Sequence, residues 1–169
     1  EQTTLVGGLA GDALTTGGSN AALGYSALST ATINTANTAV GALSLVTMNN
    51  TTTAATFNTA VGYQSAASVS TGINNTIIGA QAGSTVNSGD SNCFFGVDAG
   101  DSTTSGSKNI CIGQNANSDS ATTDHTIVIG HDISVSANHF GFGKASNIVY
   151  NVFTTDQSWA RSSDERLKK

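Results

Sequence analysis

A short apolar stretch closed by glycine returns along this chain at a nearly fixed interval: TTLVG at Gly7, NAALG at Gly24, NTAVG at Gly41 and again at Gly62, NTIIG at Gly79, NCFFG at Gly96, NICIG at Gly113 and TIVIG at Gly130. Successive glycines keep one constant step, except that the step from Gly41 to Gly62 is longer by four, so eight similar units run from Thr3 to about Ser134. The four-residue insertion falls between Thr47 and Phe57. The residue before each glycine is apolar without exception: Val6, Leu23, Val40, Val61, Ile78, Phe95, Ile112 and Ile129. This column is expected to be core. Three residues after the glycine stands a small side chain (Ala10, Ala27, Ser44, Ser65, Ala82, Ala99, Ala116; Ile133 is the exception), as a tightly packed bend requires. Seven after it, Leu14, Ala31, Met48, Val69 and Val86 predict a second, weaker inward strand, and ten after it Gly17, Gly72, Gly89 and Gly106 read as turn residues of positive φ.

A further column lies four residues before the glycine and holds Asn20, Asn37, Asn58, Asn75, Asn92 and Asn109. If successive units stack, these side chains form a ladder that binds turn backbone groups. A unit as short as Gly62 to Gly79 cannot hold a helical hairpin or a propeller blade and fits one coil of a β-solenoid or β-roll. Seven steps at the interstrand spacing give a rod segment of roughly 35 Å. Each pre-glycine strand is apolar on both faces, as in Ile77-Ile78 and Phe94-Phe95, so one face fills the coil and the other needs a partner. The expected fold class is therefore all-β: a parallel β-solenoid or β-roll assembled as an elongated parallel homotrimer, with an intertwined triple β-helix as the alternative.

Composition narrows the function. Charged residues make up 10% of the chain, proline is absent, and no Asp, Glu, Lys or Arg occurs from Ala13 to Gly89. Helices with a wet face use those residues, whereas Gly, Thr, Asn and Ser favour strands and turns. Periodic aliphatics with little charge also argue against disorder. Four of the six basic residues fall within Arg161–Lys169, which leaves no basic stripe for nucleic acid, and no apolar run has bilayer length. No signal peptide opens the chain, so a soluble partner-seeking protein, without cofactor or membrane insertion, is expected.

The units NTAVGYQSA and NTIIGAQAG resemble the head repeats of trimeric autotransporter adhesins and, more closely, repeats in phage and large-virus fibre proteins. The C-terminal segment Trp159-Ala160-Arg161-Ser162-Ser163-Asp164-Glu165-Arg166-Leu167-Lys168 resembles the start of the intramolecular chaperone domain of phage tail spikes and fibres, the peptidase S74 type. The repeats mark 1–134 as a shaft domain and the alternation beyond them suggests a β stem over 135–160, while the resemblance implies that 161–169 starts a self-cleaving chaperone. It also implies a scissile bond between Ser163 and Asp164, with Ser163 as nucleophile and Lys168 as base. A lysine acts so only when burial lowers its pKa, and none of the 169 residues supplies that burial, so the tail is expected to be inert and the chain not to be an enzyme.

Other candidate chemistry is thin. Cys93 stands three before its glycine and Cys111 two before, so in stacked coils their thiols face opposite ways and both are expected free. His125, His131 and Asp132 match no metal-ligand spacing, and no metal is expected. Asp90, Asp98, Asp101, Asp119 and Asp124 lie near unit edges, where a glycan-cleaving spike would need two carboxylates in one cleft. The expected function is that of a structural fibre or spike of a virus or phage, on the virion and extracellular. It would attach to a host surface by multivalent contact with a glycan or other receptor. A bacterial trimeric adhesin head is the alternative; an ice-binding solenoid is less favoured, because Ala21, Cys93 and Ile110 interrupt the column of Thr38, Thr59 and Thr76.

Overall fold

The computed structural model describes residues 2–52, 55–154 and, as backbone only, 160–161. Each of the first seven apolar stretches before a glycine forms a three-residue strand: β1 (Thr4–Val6), β2 (Ala21–Leu23), β3 (Thr38–Val40), β4 (Thr59–Val61), β5 (Thr76–Ile78), β6 (Cys93–Phe95) and β7 (Ile110–Ile112). After β8 (Ala116–Ser118) come β9 (Ile127–His131), β10 (Ile133–Val135), β11 (His139–Lys144), β12 (Asn147–Val152) and β13 (Ala160–Arg161). The described residues contain no helix. From β1 to β7 and on to β9 every strand pairs in parallel with the next in the same repeat register, for example Thr76↔Cys93, Ile77↔Phe94 and Ile78↔Phe95. The chain is thus a parallel β-solenoid of about eight coils, and successive rungs come from one chain. The four-residue insertion falls in the coil after β3, where Ala55 bridges back to Thr35.

Left-handed residues bend each coil at fixed places in the repeat. The residues two after the glycine (Leu9, Ser26, Leu43, Gln64, Gln81) and five before it (Ser19, Ala36, Phe57, Asn74, Ser91) all adopt this conformation, with φ between 50 and 62°. Such residues normally resist it, at roughly 1–2 kcal/mol each. Stacking on a neighbouring coil with the same bend overcomes that cost rung by rung. The repeat glycine is obligatory for two reasons. Gly79, at φ 140°, lies where L side chains rarely go, and a Cβ there would collide with the backbone of Gly96 in the next coil.

Gly17, Gly72, Gly89 and Gly106 correct an expectation. They do not have positive φ; a Cβ on each would strike the carbonyl of the next coil at Asn34, Gly89, Gly106 and Thr123. Close approach selected them, not turn handedness. The segment seven after the glycine is also different from the expected strand. Ala31, Met48, Val69 and Val86 are buried, but no strand forms there.

The core column needs the larger correction. The side chains that fill the coils are those two before the glycine: Ala22, Ala39, Ala60, Ile77, Phe94, Cys111 and Val128, all buried. The column immediately before the glycine, Val6, Leu23, Val40, Val61, Ile78, Phe95, Ile112 and Ile129, points outward; Val6 is 52% exposed and Phe95 56%. Strand parity explains this. The buried asparagines stand four before the glycine, and residues of one parity share one face, so the inward partner is the residue two before it.

The interior balances volume within each coil. Ala22 is joined inside its coil by Leu28, six residues on, and Ala39 by Leu45, all buried. Where the inward strand residue is large, that second position is glycine: Leu5 with Gly11, Ile77 with Gly83 and Phe94 with Gly100. A Cβ on Gly100 would overlap the Phe94 ring, and one on Gly83 would lie 2.9 Å from Ile77 Cδ1. The coil of Ala60 has a second alanine, Ala66, there. No coil from β1 to β6 carries a large side chain at both places, as close packing demands.

The sheet continues past Ser134. β11 pairs in parallel with β9, aligning Gly143 with Gly130, so this coil is four residues shorter than the repeat. β12 then turns back antiparallel on β11, and β13 on β12. On another side of the coil β8 and β10 form a two-stranded parallel sheet.

Candidate functional site

The outward face of the long sheet carries two columns, one and three residues before each glycine. The first is the apolar column described above, and it continues through Phe142, which is in register with Ile129 and faces Val149 across the hairpin. The second reads Thr4, Ala21, Thr38, Thr59 and Thr76, then turns apolar at Cys93, Ile110 and Ile127, with Phe140 next in register. The stripe is one apolar residue wide at the N-terminal end and two wide from β6 onward. The Phe140 and Phe142 rings lie 5.9 Å apart at its end. Tyr25, Tyr63 and Val97, each one after a repeat glycine, add exposed apolar surface near the stripe. The described face is thus a contiguous stretch of exposed apolar surface.

Behind that face the asparagine column forms a continuous ladder. The side-chain oxygen of Asn20 accepts the Asn37 N–H at 2.9 Å, Asn37 accepts that of Asn58 at 3.0 Å, Asn58 that of Asn75 at 3.0 Å, Asn75 that of Asn92 at 2.9 Å and Asn92 that of Asn109 at 3.0 Å. Asn109 hands on to Thr126 N–H at 3.0 Å. The amides donate sideways, Asn58 to Gly72 O at 2.9 Å, Asn75 to Gly89 O at 2.9 Å and Asn92 to Gly106 O at 3.0 Å. Those carbonyls belong to the close-packed glycines, so ladder and glycine columns form one device. All six asparagines are buried, and stranding either end of such a pair costs about 1–3 kcal/mol. The ladder is structural and presents nothing to a ligand.

The carboxylates at the coil edges are similarly occupied. Asp90 accepts Ile73 N–H at 2.8 Å, Asp124 accepts Ser107 N–H at 2.6 Å, Asp101 accepts the Ser84 hydroxyl, and Asp119 accepts the hydroxyls of Thr123 and Ser136. Asp98 sits at a left-handed corner with φ 55°. Asp90 and Asp124 share one place in the repeat two coils apart, with Ser107 bonded to both between them.

His131 Nδ1 lies 3.0 Å from Asp132 Oδ2, both exposed, and Asp132 Oδ1 accepts the Asn115 amide at 2.7 Å. His125 stands at another corner of the coil. Among the described residues no three metal-ligating side chains come together.

Both cysteines are free, Cys93 half-buried on the outward face and Cys111 buried inside. Registered strands place Cys93 opposite Ile110 and Cys111 opposite Phe94, which keeps the thiols on opposite faces. Burial pushes the Cys111 thiol from 9.0 up to about 12; neighbouring Cys93 adds to the rise and a backbone hydrogen bond at Ser118 opposes it. A raised thiol pKa means that the folded chain holds a proton the unfolded chain releases above pH 9.0. This contribution to stability is full below pH 9.0 and is lost progressively as pH rises to about 12. Denaturant midpoints should fall between these limits in wild type and fall less in Cys111→Ala. At neutral pH a thiol reagent should spare Cys111 in folded protein and titrate both cysteines after unfolding without reductant; zero free thiols in the unfolded chain would contradict the register.

The expected self-cleavage residues Ser163, Asp164 and Lys168 lie outside the described residues. Comparison with protein-family models, with curated proteins and with solved structures returns no match. Sequence reasoning missed the outward direction of the pre-glycine column, having assigned it to the core. The signal that separates the two is parity with the asparagines.

Proposed function

We propose that this chain is the shaft segment of a homotrimeric viral or phage fibre, exposed outside the cell, which attaches to a host surface by repeated weak contacts with glycans. The observation that carries the reading is the outward apolar stripe, which runs the length of the sheet and widens toward its C-terminal end. A lone rod would leave this surface wet. Three parallel rods packed about a common axis bury it along its whole length, because a stripe that repeats every rung stays in register with its copies. The coil edges left outside carry exposed threonines such as Thr15, Thr30, Thr47 and Thr85, whose hydroxyls donate to carbonyls of the next coil and keep acceptor lone pairs for sugar hydroxyls, which they would bind through multiplicity. The fibre resemblance of NTAVGYQSA and of the segment around Ser163-Asp164 supports the same reading.

Multi-angle light scattering tests it. The expected mass is three times the 16.9 kDa of the chain. A folded monomer at micromolar concentration would refute the assembly, and a trimer that fails to bind any cell surface or glycan array would refute the attachment role.

A further inference from the structure

The shortened coil, which aligns Gly143 with Gly130, leaves space at the end of the solenoid. Between the β8–β10 sheet and the β11–β12 hairpin lies a cavity of about 230 Å³, lined by Ser134, Val135, Ser136, His139, Ile148 and Tyr150. Gly141 brings no side chain to this face, and Val135 takes the place its Cβ would need, which sets Val135 in the wall of the cavity. His139 and Tyr150, on adjacent antiparallel strands, form one wall with ring centroids 5.5 Å apart and planes tilted by 48°. Val135 and Ile148 provide apolar surface, and Ser134 and Ser136 provide hydroxyls.

We infer that this cavity binds a single neutral sugar ring. Size comes first: at about 230 Å³ it is smaller than the roughly 300–1,000 Å³ pockets that hold drug-sized ligands, so the guest is of one-ring size. Charge comes second, since among the described residues no Asp, Glu, Lys or Arg lines it. Asp119, whose carboxylate reaches Ser136 of the lining, is engaged by the hydroxyls of Ser136 and Thr123. Polar arrangement is the third argument. His139 Nδ1 lies 2.8 Å from the Ala137 carbonyl, which only accepts, so Nδ1 carries a proton and Nε2 is the ring nitrogen left for a guest. Among the described residues the Tyr150 and Ser134 hydroxyls have no side-chain hydrogen bond. The cavity therefore offers a ring nitrogen, two hydroxyls that donate or accept, aromatic surface and an apolar wall, which together match the alternating hydroxyl and C–H surface of a pyranose.

This inference rests on the attachment reading and specifies one subsite for it. Saturation-transfer NMR with a panel of neutral pyranoses, their N-acetylated forms and a charged sialic acid tests the wild-type protein. Saturation is expected for at least one neutral pyranose and not for the sialic acid. Ser134→Phe, on the exposed rim, should lower the affinity at least tenfold. Tyr150→Phe, which retains the ring packing, should lower it about three- to tenfold with unchanged melting. Absence of any sugar signal, or binding indifferent to both variants, overturns the subsite. If both variants still bind a glycan-coated surface like wild type, the subsite fails and the attachment role stands; if sugar binding is lost as expected but no surface is bound, the reverse holds.

Discussion

Phe94→Asp is expected to abolish folding, whereas Phe95→Asp, one residue along, is expected to leave a folded solenoid that no longer associates. Phe94 is fully buried inside the coil and Phe95 is 56% exposed on the outward face. A carboxylate at the first position has no cationic partner, and burying it costs more than a domain's usual margin of about 5–15 kcal/mol. At the second position the charge stays in water within a single chain. It becomes costly only when another copy covers it. Circular dichroism and light scattering on the same samples separate the two effects. Ile77→Asp and Ile78→Asp should repeat the contrast one coil earlier, with Ile77 buried and Ile78 half-buried. If Phe95→Asp loses its β signal as completely as Phe94→Asp, folding of each chain depends on assembly. If it remains at the wild-type mass, the stripe is not the contact surface.

The contrast also shows which parts of this fold the sequence makes legible. The constant step between repeat glycines specified the coil, because one rung per repeat leaves no room for any other regular element. The asparagine column was legible for the same reason, since six identical side chains in register match a stacked backbone's recurring need for hydrogen bonds. The direction of the strands was harder to read. Each strand carries apolar residues on both faces, so hydrophobicity alone does not distinguish Phe94 from Phe95, and the more uniform column is the outward one. Uniformity along a fibre is what contact with identical copies would select. An interior instead tolerates variation if volume is conserved, which is how alanine and phenylalanine occupy equivalent places in different coils.

Glycines misled the reading in a comparable way. Gly72 and Gly89 look like turn glycines, but their need arises from the next coil's carbonyl, which local sequence does not contain. The cavity between His139 and Tyr150 was invisible for a related reason. It exists because the last coil is four residues shorter than the repeat, a mismatch between rungs and not a motif within one.

Volume exchange within the coil yields the strongest test of the interior. Phe94→Ala is expected to destabilise the protein by about 3–5 kcal/mol, the usual result of emptying a buried aromatic site. Gly100→Leu alone should also destabilise, because even a Cβ at that position overlaps the Phe94 ring. Combining them should restore most of the loss, to within about 2 kcal/mol of wild type, since the coil then has the pairing already present at Ala22 with Leu28 and Ala39 with Leu45. The residual deficit has a cause: Gly100 sits at φ 70°, and a leucine there takes on the left-handed strain that Leu28 and Leu45 already bear at 54° and 50°. Denaturant midpoints of the four proteins complete the cycle. Additive losses, with no recovery in the double variant, would show that Phe94 and Gly100 do not share one space and that volume is not exchanged between these two places in the coil.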